Sequence, residues 1–252
     1  DSPWVGLDKF QELFAGAQFG YAFRNTVYMA LLNLTLGFII PVILGLLISQ
    51  VRNKRRSRVV QTITYMPYFV APVVVCTLAK EFLKEGGAIT MFLTMFGLPN
   101  QNWLAVNSPV FWFINCFLGI WQGAGYGAIV YIAAINGIDQ NLYEAACIDG
   151  ASRWQRLWNI TIPSIVPLVV MMFTMQIGLV FMTGFDKVLL LYMPTTYEFS
   201  DCLSTYTYRM AFSSGNDFSL STASGLLQSI IGTLLLIFGN KMSEKATKMS
   251  LF

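Results

Sequence analysis

From Asn25 to Val51 the chain carries no charged side chain at all. A helix crosses the roughly 30 Å hydrocarbon core of a bilayer with about 20 apolar residues. Inside that core every backbone N–H and C=O must find a partner within the segment, so an isolated run of this kind can only be a helix. Four more apolar runs follow, at about 59–79, 109–135, 164–185 and 218–238. The expected fold class is therefore all-α, a polytopic membrane protein with five visible transmembrane helices. Composition agrees: charged residues make up 12% of the chain and mean hydropathy is +0.57, against about 25% charged in a soluble domain. Asn25 or Thr26 is placed to cap the first span, and Pro41 to kink it. Pro67 and Pro72 are expected to break the second.

Several function classes fall away on residue types. There are no histidines, which removes His-based catalysis and His metal sites. Cys76, Cys116 and Cys147 lie in or beside apolar segments and Cys202 lies in a polar loop, with no spacing of a metal site or disulfide framework. No cluster of His, Cys or carboxylates suits a membrane enzyme. Ion-coupled carriers place ionisable groups at mid-membrane, and the span interiors have none, which argues against a secondary transporter or channel of that kind. A phosphate-cradling G-x-x-x-x-G-K-[ST] loop is also lacking. The run Arg52-Asn53-Lys54-Arg55-Arg56-Ser57-Arg58 reads as a topology signal between two spans rather than a nucleic-acid patch.

Cation placement sets the expected orientation. The basic loop, the stretch 139–163 and the C-terminal tail hold ten Lys or Arg, and the three segments on the other side hold six. The first set is therefore expected in the cytoplasm. Residues 1–24 form an extracytoplasmic segment with a short helix around Leu7 to Phe14. The apolar patch Ile89 to Leu98 is too short to span and is expected to lie at the interface. Asp186 to Asp217 reads as a long outside loop rich in tyrosine. The chain begins at Asp1 without initiator Met or signal peptide, and so reads as processed or truncated.

The most water-facing stretch is Glu144 to Pro163, EAACIDGASRWQRLWNITIP. It reads as two short helices. Asp139 or Asn141 caps the first, and Gly150 ends it in the left-handed conformation. Ser152 and Gln155 have capping-box spacing for the second, with Trp154, Leu157, Trp158 and Thr161 on one face. Pro163 then permits a fresh helix start.

These residues carry a resemblance. Glu144-Ala145-Ala146, Gly150, Ile160 and Pro163 stand at the spacings of the cytoplasmic signature loop of permease subunits in bacterial binding-protein-dependent ABC importers. Ile162 stands where leucine is usual. Phe23-Arg24-Asn25-Thr26, Val59-Val60-Gln61-Thr62, and Trp121-Gln122-Gly123 before Tyr131-Ile132-Ala133-Ala134 resemble the maltose-type carbohydrate-uptake branch, within it oligo- or polysaccharide permeases.

The resemblance implies a type I importer core of six helices, with the first missing here, over residues 25–241, and a cytoplasmic tail at 242–252. It implies a bacterial cytoplasmic membrane location, a second homologous permease subunit, two ATPase subunits that use ATP and Mg, and an extracytoplasmic solute-binding protein. The chain itself would need no cofactor. Glu144, Ala145, Ala146, Asp149, Gly150, Ile160 and Pro163 would form the ATPase-docking loop, with Trp154, Leu157 and Trp158 anchoring its second helix on the spans. Arg153 and Arg156 either snorkel to lipid headgroups or meet the ATPase.

The expected solute is a sugar, with another solute as the alternative. Aromatic and amide side chains inside the spans are candidates for its path: Trp121, Gln122, Tyr126, Gln176 and Gln228. For the glutamines the alternative is a bond between helices, and for the aromatics packing or interface anchoring. Asp186 either pairs with Lys187 or touches solute.

Overall fold

The computed structural model describes residues 5–181, 184–213 and 217–247. Lys248, one of the cations counted for the tail, lies outside them. Among the described residues there is no strand. Four helices are long and apolar enough to cross a membrane: Ala17–Ser49, Val110–Asn136, Arg153–Leu179 and Phe218–Lys245. The bent pair Lys54–Phe69 and Pro72–Thr94 raises the number to five if it is one span.

The helices, in order, are α1 Asp8–Ala15, α2 Ala17–Leu32, α3 Phe38–Ser49, α4 Lys54–Tyr65, α5 Pro72–Leu83, α6 Ala88–Thr94 and α7 Val110–Asn136. There follow α8 Gln140–Ile148, α9 Arg153–Arg156, α10 Ile162–Leu179, α11 Phe185–Leu191, α12 Tyr197–Ser200, α13 Leu203–Phe212 and α14 Phe218–Thr247.

The chain divides into two compact units. The first holds Asp1–Asn33, Val70–Leu118 and Leu179–Leu235. Its core gathers Met29, Cys76, Leu83, Phe111, Trp112, Val188 and Leu191. The first span does not begin at Asn25 or Thr26, as expected, but earlier, at Ala17. Both residues are interior, and both are held by the chain near residue 200. The Asn25 amide donates to the carbonyls of Glu198 (3.0 Å) and Asp201 (2.9 Å). The Thr26 hydroxyl donates to Ala22 O and accepts from Leu203 N at 2.8 Å. A buried polar side chain needs such partners; here they strap a distant segment onto α2. The stretch after Asp186, expected as a loop, is folded into α12 and α13 against α2.

The second unit holds Leu34–Phe69, Gly119–Gly178 and Leu236–Phe252. Ile48, Ala128 and Ile132 form its small core. Close approach depends on missing side chains: a Cβ on Gly125 would lie 2.0 Å from the Thr64 carbonyl oxygen, and one on Gly127 would lie 3.3 Å from Pro41. Gly123, two residues before Gly125 on α7, has nothing within 4 Å and takes no part in this approach. In the first span a π turn at Asn33–Gly37 precedes Pro41, which is taken inside α3.

After α4 the chain tightens into a 3-10 turn, Met66–Phe69, and α5 starts anew with Pro72 in its first turn. That is the break expected from the two prolines. Outward faces remain apolar: Ile39, Ile43 and Leu47 on α3 and Leu226, Ile230 and Leu234 on α14 are exposed stripes one turn apart. Such stripes suit lipid or a partner helix, not water.

Candidate functional site

The loop between α7 and α10 is built by three local devices. The Asp139 carboxylate accepts from Asn141 N at 2.9 Å, so Asp139, not Asn141, caps α8. At the other end Ala151 N donates to Ala146 O (2.8 Å) and Gly150 N donates to Cys147 O (3.1 Å). These are the two bonds of a Schellman motif, with Ala146 three residues inside the helix end and Gly150 just beyond it. The Ala146-x-x-x-Gly150 spacing is thus the spacing of one helix stop. Gly150 has φ +76°, and a Cβ there would meet nothing within 4 Å. The glycine is required by backbone conformation, not by space.

The third device is the capping box. Gln155 N donates to Ser152 Oγ (3.3 Å), and Ser152 N donates to Gln155 Oε1 (2.7 Å). α9 then runs through a π turn, Leu157–Thr161, straight into α10. Pro163 starts no new helix. The widened turn relieves the clash that its ring would make with an upstream carbonyl. The same turn splits the expected face. Leu157, Thr161 and Ile165 point inward, while Trp154 and Trp158 remain 66% and 53% exposed, edge to face at 5.8 Å. The tryptophans therefore do not anchor on the spans of this chain.

Two side-chain bonds fasten the loop. Tyr143 Oη and Thr161 Oγ1 are 2.9 Å apart, with Thr161 fully buried. Arg156 Nη1 donates to Cys147 Sγ at 2.6 Å. Glu144, Ala145, Asp149 and Pro163 are exposed, and Ala146 and Ile160 half-buried. Two apolar residues that the sequence reading passed over share the outward surface of α8: Leu142 is 50% exposed and Ile148 87%. Their i, i+6 spacing around Ala145 was the available signal.

The candidate solute-path residues divide between the units. In the second unit Trp121 is exposed, Gln122 buried with its polar group engaged, and Gln176 half-buried. Tyr126 stacks flat on Tyr68, with centroids 3.9 Å apart. In the first unit Gln228 is buried and both its amide atoms are used: Oε1 accepts from Ser204 (3.3 Å) and Nε2 donates to Thr207 (3.1 Å). Of the two readings open for Gln228, the geometry is that of a bond between helices. Asp186 is exposed and forms no ion pair with Lys187.

The first unit also contains an ion pair that nothing in the sequence pattern singled out. Arg209 Nη2 lies 2.6 Å from Asp201 Oδ2, with side-chain exposures of 7% and 2%. Thr205 Oγ1 donates to Asp201 Oδ1 (2.6 Å), and the guanidinium sits 4.4 Å above the Tyr197 ring. Burial pushes the Asp201 carboxyl up, and the bonds from Thr205 and Arg209 pull it back. Arg209 Nη1 also donates to Gln18 Oε1 at 3.2 Å, while its Nε is buried without an acceptor, so a pair this dry is held by Thr205, Gln18 and the Tyr197 ring rather than by full hydrogen bonding.

Comparison with known proteins is consistent along the whole chain. The model of the family "Binding-protein-dependent transport system inner membrane component" matches residues 37–248. The polygalacturonan/rhamnogalacturonan transport system permease protein YteP of Bacillus subtilis (strain 168) is 36% identical over 245 residues, 97% of this chain and 76% of that protein. The sn-glycerol-3-phosphate transport system permease protein UgpA of Yersinia enterocolitica (serotype O:8 / biotype 1B, strain NCTC 13174 / 8081) is 30% identical over 238 residues, 94% of this chain and 77% of that protein. Among solved structures, a bacterial alginate ABC transporter in complex with an alginate pentasaccharide-bound periplasmic protein matches with a TM-score of 0.92 and 38% identity, over 98% of this chain and 85% of that one. With a type I importer fold, several apolar spans and a capped two-helix loop at the signature spacing, this chain belongs to the family of inner membrane components of binding-protein-dependent transport systems.

Proposed function

We propose that this chain is one of two permease subunits of an ATP-driven importer whose solute is an oligosaccharide. It forms half of the path, and ATP is hydrolysed by separate ATPase subunits that dock on the loop between α7 and α10. The observation that carries the docking role is the loop itself. A capped helix, a Schellman stop and a capping box hold Glu144, Ala145 and Ile148 outward on a rigid support. Glu144 makes the charged contact across that interface, and Ala145 and Ala146 let the helix enter a cleft. The basic loop, this loop and the C-terminus face the cytoplasm, as the cation count supports. An extracytoplasmic binding protein delivers the solute.

The sugar assignment is supported by the polysaccharides that YteP and the alginate transporter are named for. UgpA supports a second reading, a small phosphorylated solute. Uptake separates them. Proteoliposomes with the assembled transporter and its loaded binding protein are expected to accumulate labelled uronic-acid oligomers. Accumulation of sn-glycerol-3-phosphate alone would favour the second reading, and solute-independent ATP hydrolysis by this chain alone would remove both.

A further inference from the structure

A cavity of about 630 Å³ opens beside the loop, within the second unit, between the end of α3, the end of α7, α8 and α9. Its wall carries Arg52, Arg153 and Arg156 with Asn136, Gln140 and Tyr143, and no carboxylate. None of the three arginines forms an ion pair among the described residues. Arg156 is half-buried; its Nη1 meets only the Cys147 sulfur, a weak acceptor, and its Nε is buried without any acceptor. Guanidinium groups of one sign around a shared hollow repel, and a partly buried one without an acceptor is costly. An anion would answer both costs. A guanidinium is a planar fork matched to phosphate oxygens in two-bond geometry, and amide and phenol donors line the rest of the wall. The volume falls in the usual range for small-ligand sites, larger than a bare ion needs.

We propose that this cavity binds a phosphate group carried on a larger body, held by Arg52, Arg153 and Arg156. The group is either a lipid phosphodiester or a free phosphoryl compound; the shared chemistry is the phosphate. Because the wall joins α3 and α7 to the loop, occupancy ties the loop to the spans. The inference goes beyond the transport reading and does not depend on the solute.

The test is arginine modification by phenylglyoxal, mapped by mass spectrometry, on the assembled transporter in maltoside detergent and in nanodiscs. Arg55, Arg56 and Arg58, all exposed on α4, serve as internal references. In maltoside detergent without lipid or phosphate the three cavity arginines are expected to react. Inorganic phosphate in solution, or phosphatidylglycerol in the disc, is expected to slow them by about tenfold relative to the references, since charge-assisted bonds are strong ones. Protection by inorganic phosphate identifies a soluble ligand, and protection by phosphatidylglycerol alone identifies a lipid headgroup. In the Arg153→Gln/Arg156→Gln variant the protection at Arg52 should disappear while assembly is kept. Equal rates at cavity and reference arginines in every condition would overturn the proposal. So would resistance already present in lipid-free maltoside detergent without phosphate, because a protein partner would then fill the cavity.

Discussion

Gly150 allows a perturbation whose cost comes from backbone conformation alone. Its φ is +76°, and a Cβ would meet no atom within 4 Å, so steric clash contributes nothing. Valine in the left-handed region costs roughly 1–2 kcal/mol, whereas asparagine enters it readily and alanine lies between. The Schellman bonds from Ala151 N and Gly150 N hold only while that conformation is kept. A loss of about 1–2 kcal/mol lowers the ratio of capped to open loop by about 5- to 30-fold. The assay is the stimulation of ATP hydrolysis by the loaded binding protein in proteoliposomes, with co-purification of partners as the assembly control. Stimulation is expected to fall in the order Gly, Asn, Ala, Val. The Asn–Ala step is decisive, because asparagine is the larger side chain. If activity followed volume instead, with asparagine below alanine, or if Gly150→Val kept full stimulation, the reasoning would be wrong.

Gly125→Ala would push a methyl group against the Thr64 carbonyl, where only 2.0 Å is open; a loss of about 1–3 kcal/mol or more is expected as a lower melting temperature. Gly123→Ala, in the interior of α7 with nothing within 4 Å, should not lower that temperature and is expected to raise it, alanine being favoured over glycine in a helix by about 0.5–1 kcal/mol. Arg209→Met strands the buried Asp201 carboxylate and should cost about 3–5 kcal/mol, whereas Asp201→Leu/Arg209→Met should recover much of it; equal melting temperatures for both variants would contradict the burial argument. In a cysteine-free background, cysteines at positions 55 and 245 should resist an impermeant reagent in sealed cells and one at position 207 should react, and strong labelling at 55 would invert the topology.

The spans were legible because a charge-free run of membrane length admits little except a helix. The loop was legible at its caps, since Ser152 with Gln155 and Gly150 after Ala146 are local devices with fixed spacing. Its inward face was not. The π turn at Leu157–Thr161 shifts the register after Trp154, and a fixed 3.6-residue period cannot anticipate an inserted residue. The start at Ala17 was hidden for a different reason. Asn25 and Thr26 are good caps by type, and only a segment far along the chain, at Glu198 to Leu203, shows why they are interior. The Asp201–Arg209 pair was silent likewise, because two charges in a polar stretch look solvated until folding buries them.

The unbroken run from Arg153 to Leu179 has a mechanical consequence. Because the loop's second helix and the span run on as one helix, they would move together as one lever, about 40 Å long at about 1.5 Å per residue. A tilt of about 5° imposed at the loop end would sweep the opposite end by about 3 Å, a displacement of the order that switches packed helices between discrete arrangements. A hinge at Pro163 would have absorbed that torque locally. By letting the proline sit inside the rod, the π turn allows a small rotation at one membrane face to reach the other with its amplitude multiplied rather than lost.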